Sequence, residues 1–330
     1  MKIFFYALRE FDELKYCQKL SREYGISFDW TAEYPSWNNV ELAKGCEAVS
    51  MTPCEIAAPL IEKFHSIGVQ YITCRSIGYD HIDLEKAAEL GMRVSNVVYP
   101  PDGVANYAIM LMMMCCRRIV PILKRAELQD YSLKGKIGRD ISHCTIGIIG
   151  TGKIGSTVVR HLSGFGCRLL AHDPYQNPAV KAMAEYVDLD TLYRESDIIT
   201  LHTNATSENY HLLNAEAFAK MKEGVIIINT SRGKLIDTAA LIKAIEEGKV
   251  GGAGLDVLEK EDGLYYYNRV GDIIRNTEMM ELRSFPNVIL SPHTAFYTEI
   301  DVMNMVKGNF EAVDAFAHQK KTPLEVGKMG

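Results

Sequence analysis

The chain has little that would mark it as a redox-disulfide, nucleic-acid or membrane protein. Its eight cysteines (Cys17, Cys46, Cys54, Cys74, Cys115, Cys116, Cys144, Cys167) form no Cys-x-x-Cys pair, and most lie in apolar runs where a reduced thiol packs as a small hydrophobe. That favours a reducing, cytoplasmic setting and gives no metal site. Lys and Arg number 36 against 42 Asp and Glu, a net charge of -6 with no block of like charge, which argues against a nucleic-acid partner. Long hydrophobic runs are missing too. The N-terminal run from Ile3 to Leu8 is too short for a signal-peptide core and reads as a first strand. The greasiest stretch, Tyr107 to Cys116, is about half of what a bilayer needs and is closed by Arg117 and Arg118. It predicts a buried helix, at a subunit interface, and no membrane partner. What is present is 47% hydrophobic and 24% charged residues over 330 positions, enough for two globular domains.

Short β-rich runs alternate with helical patterns: Ile3 to Leu8, Ser27 to Thr31, Ala48 to Met51, Tyr71 to Cys74 and Arg93 to Val97. That alternation implies a parallel sheet covered by helices. Tyr99-Pro100-Pro101-Asp102 breaks the rhythm, because Pro100 biases Tyr99 away from the helical region and Asp102 is suited to cap the next helix. A domain boundary is placed there. A second series follows: Cys144 to Ile149, Arg168 to His172, Ile198 to His202, Val225 to Asn229, Gly252 to Asp256 and Val288 to Ser291. After Pro292-His293-Thr294-Ala295 the pattern predicts one long amphipathic helix from Thr298 to about Phe316 and no further strand. That tail is too short for a domain and is expected to pack back on the first. The fold is therefore read as α/β, two Rossmann/flavodoxin-like parallel-sheet domains: residues 1–99 with 297–330, discontinuous, and residues 100–296.

Gly150-Thr151-Gly152-Lys153-Ile154-Gly155 is a G-x-G-x-x-G pattern. Alone it is weak, but an apolar β-branched run precedes it, a helical pattern follows, and Asp173 ends the next strand about eighteen residues after the last glycine. Gly150 suits the tight turn, Gly152 the approach of a pyrophosphate, and Gly155 the packing of helix on strand. Asp173 is suited to accept from both ribose hydroxyls and to repel a 2′-phosphate. NAD is favoured over NADP.

Three ionisable residues follow strands of the second series, where open α/β sheets bind their ligands. Arg232 follows Val225 to Asn229, Glu261 lies shortly beyond Asp256, and His293 follows Val288 to Ser291. Hydride transfer to a 2-oxo acid needs a forked cation for the carboxylate, a proton donor active near neutral pH, and an anion to steady that donor. Arginine, histidine and glutamate meet those needs. Each alone has an ordinary reading, as a loop charge, a core histidine or one more acid in the charged run from Glu259 to Asp262. Together, behind a dinucleotide fingerprint, they point to one site.

The residues Arg75-Ser76-Ile77-Gly78-Tyr79-Asp80-His81-Ile82-Asp83, Gly150 to Gly155, Ile228 to Gly233, Gly254 to Glu259 and Ser291 to Thr298 resemble, in order and spacing, the D-2-hydroxyacid dehydrogenases. The chain is most similar to the D-lactate dehydrogenase branch, which includes the dehydrogenases of vancomycin-resistance clusters. The resemblance implies that Arg232 binds substrate carboxylate and carbonyl, that His293 is the acid/base and that Glu261 is its partner. It gives cofactor contacts to Gly152, Lys153, Ile154, Asp173, Thr203, Asn204, Asn209, Thr230, Ser231, Arg232 and Asp256. To the substrate it gives Ile77, Gly78, Tyr99 and Phe296 beside Arg232 and His293. It further implies D stereochemistry, a substrate domain made from both chain ends, hinge closure over an NAD-binding domain, and a homodimer. About thirty residues separate Glu261 from His293, matching the long insertion of the D-lactate branch rather than the phosphoglycerate and glyoxylate relatives. Thr203-Asn204 stands where relatives commonly have Val-Pro or Cys-Pro. Ser50-Met51-Thr52-Pro53-Cys54 corresponds to the segment lining the side-chain pocket, and its small residues suit a bulkier 2-oxo acid.

The function read from the sequence is NADH-dependent reduction of a 2-oxo acid to a D-2-hydroxy acid, with His293 as proton donor. Alternatives are a hydroxypyruvate or glyoxylate reductase, disfavoured by the insertion, and an NADH-sensing, corepressor-like binding protein, disfavoured by the complete Arg, Glu and His set.

Overall fold

The computed structural model describes residues 1–327, so Lys328, Met329 and Gly330, at the end of the expected substrate domain, lie outside the described residues. The chain divides into two units, one of Met1–Pro100 with the segment from Tyr297 on, the other of Pro101–Phe296. The strands in chain order are β1 (Lys2–Phe5), β2 (Ser27–Trp30), β3 (Ala48–Met51), β4 (Tyr71–Cys74), β5 (Arg93–Ser95), β6 (Thr145–Ile149), β7 (Arg168–His172), β8 (Glu185–Tyr186), β9 (Ile198–Leu201), β10 (Val225–Asn229), β11 (Val250–Leu255), β12 (Val288–Leu290) and β13 (Glu325–Val326).

In the first unit the strand order is β13-β5-β4-β3-β1-β2. All pairs are parallel except β13 on β5. Alternation along β1 fills both faces of the sheet. Ile3 and Phe5 pack with Tyr71 against Val306, Phe310 and Val313 of the helix Glu299–Ala317. Phe4 and Tyr6 pack on the other side with Val49, Phe64 and Ile72. The helix starts where Thr298 accepts from the Asp301 N–H at 3.1 Å, a side-chain N-cap.

Arg75, directly after β4, is fully buried. It donates to Glu13 at 2.9 Å, to the Ser50 hydroxyl at 2.8 Å and to the carbonyls of Tyr6 and Ala7 at 2.9 Å each. Glu13 is equally buried. With all three guanidinium nitrogens hydrogen-bonded the ion pair is tolerable, while removing one partner would strand a buried charge at a cost of about 3–5 kcal/mol. The network holds the strand end from which Ile77 and Gly78 depart.

The second unit carries a seven-stranded sheet in the order β12-β11-β10-β9-β6-β7-β8, parallel throughout. Isoleucine-rich runs such as Ile226 to Ile228 form such strands because both of their faces are covered. Ile226 and Ile228 face a core with Ala108, Leu111, Val158 and Leu162, from the helices Asp102–Cys116 and Lys153–Leu162. Ile227 and Val225 face Phe218, Leu241 and Leu282 from the helices of the opposite side. The Tyr107 to Cys116 run is thus a core helix, and among the described residues no single helix is long and apolar enough to cross a membrane.

Three local readings are corrected. Asp102 does not cap its helix: Pro101 occupies the cap position without a side-chain bond, and the Asp102 carboxylate instead accepts from Arg160 at 3.0 Å. A strand does follow the last helix, β13, held to β5 by Arg93 donating to Glu325 at 2.6 Å. The edge strand β8 is also absent from the sequence reading. Both have two residues, too few to show a hydrophobic period.

Candidate active site

The register of the second sheet lines up the ends of six strands. His172 pairs with Ile149, Ile149 with Leu201, Leu201 with Asn229, Asn229 with Leu255, and Leu255 with Leu290. The residues that follow this row are Asp173, Gly150, His202, Thr230, Asp256 and Ser291. The sequence-derived cofactor and acid/base residues of this unit therefore emerge from one carboxyl edge, where a parallel α/β sheet presents its loops to ligand.

At the β6 end Gly150 and Gly155 are in near contact. A Cβ on Gly155 would fall 1.9 Å from the Gly150 carbonyl oxygen, so no side chain fits without moving backbone. Gly152 is open, with nothing within 4 Å of a built Cβ, and it forms the N-cap of the helix Lys153–Leu162. That open helix start presents backbone N–H groups suited to a diphosphate. Lys153 is exposed and Ile154 half-buried beside it. The Asp173 carboxylate accepts from the Thr151 N–H at 2.6 Å and from the Tyr175 N–H at 2.8 Å, leaving acceptor capacity on both oxygens. Tyr186 donates to the Thr151 hydroxyl at 2.7 Å and steadies the same turn. At the β10 end the Thr230 hydroxyl is buried with no hydrogen-bond partner, an orphan that a bound ligand would satisfy. These residues fit a dinucleotide.

The β9 loop is tied internally. Asn209 accepts from the Thr206 N–H at 2.7 Å and donates to the Asn204 carbonyl at 2.7 Å, while Ser231 donates to the Thr203 carbonyl. The Asn204 side chain stays exposed. Asn229, buried at the end of β10, accepts from the Ser231 N–H at 3.0 Å and donates to the Arg232 carbonyl at 2.9 Å. It folds the Thr230–Arg232 turn around its own amide.

Asp256 and His293 are mutually dependent. The Asp256 carboxylate is fully buried and accepts from the Ser291 hydroxyl at 2.6 Å and from the N–H groups of Thr294 at 2.9 Å and Ala295 at 2.8 Å. The His293 N–H donates to the Asp256 carbonyl at 2.8 Å. Both carboxylate oxygens of Asp256, a residue the resemblance gave to the cofactor, thus anchor the histidine loop. His293 lies in the left-handed region at φ 53°, a conformation that needs such anchoring. Its Nδ1 is 2.7 Å from Glu261 Oε1, and the other Glu261 oxygen accepts from the Leu258 N–H at 2.8 Å. With Nδ1 donating to a carboxylate, Nε2 is the nitrogen left for a reacting oxygen. Glu259, the neighbouring acid, is bonded elsewhere, to His211. His202, the other histidine after a strand on this edge, is unsuited to donate a proton: burial pushes its imidazole down to about 3.

Sequence reading missed Tyr266. Its hydroxyl donates to the His293 carbonyl at 3.1 Å, and its ring lies 5.8 Å from the imidazole and 6.4 Å from Phe296. Phe296 in turn meets the imidazole edge-on at 6.3 Å. No periodic signal marks Tyr266, which stands in an irregular insertion. Asn229 carried one, a polar residue closing an apolar parallel strand.

Ile77, Gly78 and Tyr99 belong to the first unit, after β4 and β5. Asn96 donates to the Ile77 carbonyl at 2.7 Å and Ser76 donates to the Gly78 carbonyl at 2.5 Å. Cys74 Sγ lies 2.7 Å from the Ser76 hydroxyl and 3.1 Å from His81 Nε2. The loop backbone is therefore pinned by side chains on both sides.

A family model described as D-isomer specific 2-hydroxyacid dehydrogenase, NAD binding domain, matches residues 109–295. An aromatic 2-oxoacid reductase of Clostridium sporogenes is 40% identical over 312 residues, covering 93% of each chain. A D-lactate dehydrogenase of Escherichia coli is 41% identical over 301 residues, covering 90% of this chain and 91% of that one. The NAD-complexed structure of a D-isomer specific 2-hydroxyacid dehydrogenase from Lactobacillus delbrueckii ssp. bulgaricus superposes with a TM-score of 0.85 at 29% identity, over 99% of this chain and all of that one. With its fingerprint turn, its aligned strand ends and these likenesses along nearly its whole length, the chain belongs to the D-isomer specific 2-hydroxyacid dehydrogenase family.

Proposed function

We propose that the protein reduces a 2-oxo acid larger than pyruvate to the D-2-hydroxy acid, with Arg232, His293 and Glu261 as its catalytic set. The observation that carries the reading is the 2.7 Å contact of His293 Nδ1 with Glu261, on the sheet edge that also bears Arg232. NADH, when bound, supplies the hydride to C2. The Arg232 fork holds the carboxylate and carbonyl together, so the reacting carbon is presented in one orientation. His293 Nε2 gives a proton to the carbonyl oxygen as charge builds there, and Glu261 steadies the charged ring. The cofactor contacts proposed are Gly152, Lys153, Ile154, Asp173, Thr203, Asn204, Asn209, Thr230, Ser231, Arg232 and Asp256. Ile77, Gly78, Tyr99 and Phe296 complete the substrate site. The first unit is the substrate domain and the second the NAD-binding domain.

A cytoplasmic homodimer fits the same reading. All eight cysteines are free thiols. Leu123, Leu128, Tyr131, Leu133 and Ile137, on and after the helix Ile119–Glu127, are all exposed apolar side chains, an arrangement a second copy would cover.

The test is a panel of 2-oxo acids of increasing side-chain size, assayed with NADH and with NADPH. NADH is expected to win by at least tenfold in kcat/KM, because Asp173 would face the 2′-phosphate of NADPH. Branched or aromatic 2-oxo acids are expected to exceed pyruvate. No turnover of any member would end the oxidoreductase reading of the site, and equal efficiency with NADPH would remove Asp173 from the ribose.

Thr52, just past β3, is buried and its hydroxyl has no hydrogen-bond partner. Filling that position is expected to narrow the side-chain pocket. Thr52→Tyr should shift the ratio of efficiencies toward pyruvate by at least about tenfold, since a ring displaces more volume than the single methylene that is already worth that much in a pocket. An unchanged ratio would place the pocket elsewhere.

A further inference from the structure

A second histidine–glutamate pair lies in the same unit, away from the reacting nitrogen. His211 Nε2 is 2.8 Å from Glu259 Oε1, and the two side chains are 26% and 13% exposed. Asp237 faces the other ring nitrogen at 3.9 Å, and Tyr210 stacks on the imidazole at 3.9 Å between ring centres. The second Glu259 oxygen accepts from the Thr238 hydroxyl at 3.0 Å and from its N–H at 3.3 Å.

These contacts gather three segments that the proposed chemistry uses. His211 ends the segment that begins with Thr203, and its own N–H donates to the Lys234 carbonyl at 2.9 Å. Thr238 opens the helix that follows the Arg232 turn. Glu259 sits two residues before Glu261. The last two segments touch through bare backbone at Gly233, where a Cβ would fall 2.0 Å from the Leu258 carbonyl carbon and 2.4 Å from the Glu259 nitrogen. Gly233 is the residue after Arg232, and the Leu258 N–H is the donor that fixes Glu261 at 2.8 Å. Any slip of Glu259 against Thr238 therefore moves Arg232 relative to Glu261. Van der Waals contact at Gly233 limits approach but resists separation weakly; a charged, hydrogen-bonded carboxylate resists separation.

We propose that the Glu259–His211 pair, closed by Thr238, is a positioning device that sets the spacing between the substrate-binding Arg232 and the Glu261–His293 couple. The proposal rests on the catalytic roles given above to those three residues. Neither Glu259 nor His211 exchanges a proton with substrate. Their contribution is geometric, and displacements of a fraction of an ångström at such a site are felt in rate.

The experiment compares His211→Leu, His211→Gln and Glu259→Gln with wild type, and with Arg232→Lys as a reference, in NADH-dependent reduction of the best 2-oxo acid of the panel. A glutamine at 211 places an amide N–H near the Nε2 position and keeps the donor to Glu259. The expected result is a loss of about tenfold in kcat/KM for His211→Leu and Glu259→Gln, and at most about twofold for His211→Gln. The alkaline limb of the rate profile stays where it is in wild type, since the proton donor is untouched. The double variant His211→Leu/Glu259→Gln should lose little more than either single variant, because each breaks the same link. Four outcomes would overturn the proposal: full activity in Glu259→Gln, equal loss in His211→Leu and His211→Gln, a moved alkaline limb in Glu259→Gln, or additive losses in the double variant. His211 lies in the left-handed region at φ 52°, where leucine adds backbone strain. If His211→Leu does not fold or loses more than Glu259→Gln, the Glu259→Gln and His211→Gln variants decide it by the same readouts. Full activity in Arg232→Lys would instead defeat the functional reading itself, which separates the two failures.

Discussion

Arg232→Lys is expected to lose roughly 150-fold in kcat/KM toward the preferred 2-oxo acid while its affinity for NADH falls far less, because Arg232 is one of many proposed cofactor contacts but the one proposed cation on the substrate. The estimate follows from replacing a planar fork by a point charge: one charge-assisted hydrogen bond to the substrate is lost, worth about 3 kcal/mol. Total charge is unchanged, so a purely electrostatic role would survive the substitution. The turn itself should survive, because its shape is set by Asn229, which bonds the Ser231 N–H and the Arg232 carbonyl rather than the guanidinium. The guanidinium also donates to the Ser231 carbonyl at 2.9 Å, a bond that a lysine ammonium is able to replace in part. Single-turnover reduction with saturating NADH, together with NADH titration by fluorescence, separates the two effects. A variant that keeps most of its kcat/KM would remove Arg232 from the substrate.

Residues whose neighbours are decided by strand order were legible in the sequence. Arg232 and His293 follow apolar β-branched runs and Asp256 a small-residue, glycine-rich strand, and parallel pairing in register carries the ends of those strands to one edge. The same logic made Asp173 and the glycine turn readable. Residues whose neighbours depend on an irregular path were not. The backbone is left-handed at Lys260, just before Glu261, and again at Tyr266 within the insertion that follows, and no hydrophobic period foretells that this path returns Tyr266 to His293. His211 is another such case, at φ 52° in a loop, with a partner 48 residues away. Asp256 shows a third kind of limit. Its position was legible but its hydrogen bonds were not, since a carboxylate at a strand end serves a ligand or a neighbouring loop equally well until the loop is built. The edge strands β8 and β13 escaped notice because two-residue strands are defined by pairing alone, in β13 with help from the Arg93–Glu325 bond.

The sharpest test of mechanism is the pH dependence of Glu261→Gln. Reduction consumes a proton held on His293, so its rate falls on the alkaline side as the ring loses that proton. Oxidation of the hydroxy acid needs the neutral ring and rises over the same window. The two profiles should mirror each other. Glu261 lies 2.7 Å from Nδ1, and its own second oxygen is fixed by the Leu258 N–H, so the carboxylate is held beside the ring while the proton moves at Nε2. Glutamine keeps the shape and loses the charge. In Glu261→Gln the alkaline limb of reduction should therefore move to lower pH, the rising limb of oxidation should move with it, and kcat for reduction at neutral pH should fall roughly 10- to 100-fold. NADH affinity should hold. His293→Asn provides the limit: asparagine tolerates the left-handed backbone at this position, so the loop gathered by Asp256 should persist while kcat falls by about 10²–10⁴ and the mirrored limbs disappear. Alanine would confound that loss with strain. Were the alkaline limb of Glu261→Gln to stay in place while His293→Asn abolishes it, His293 would remain the proton donor and Glu261 would be reduced to a loop anchor through Leu258.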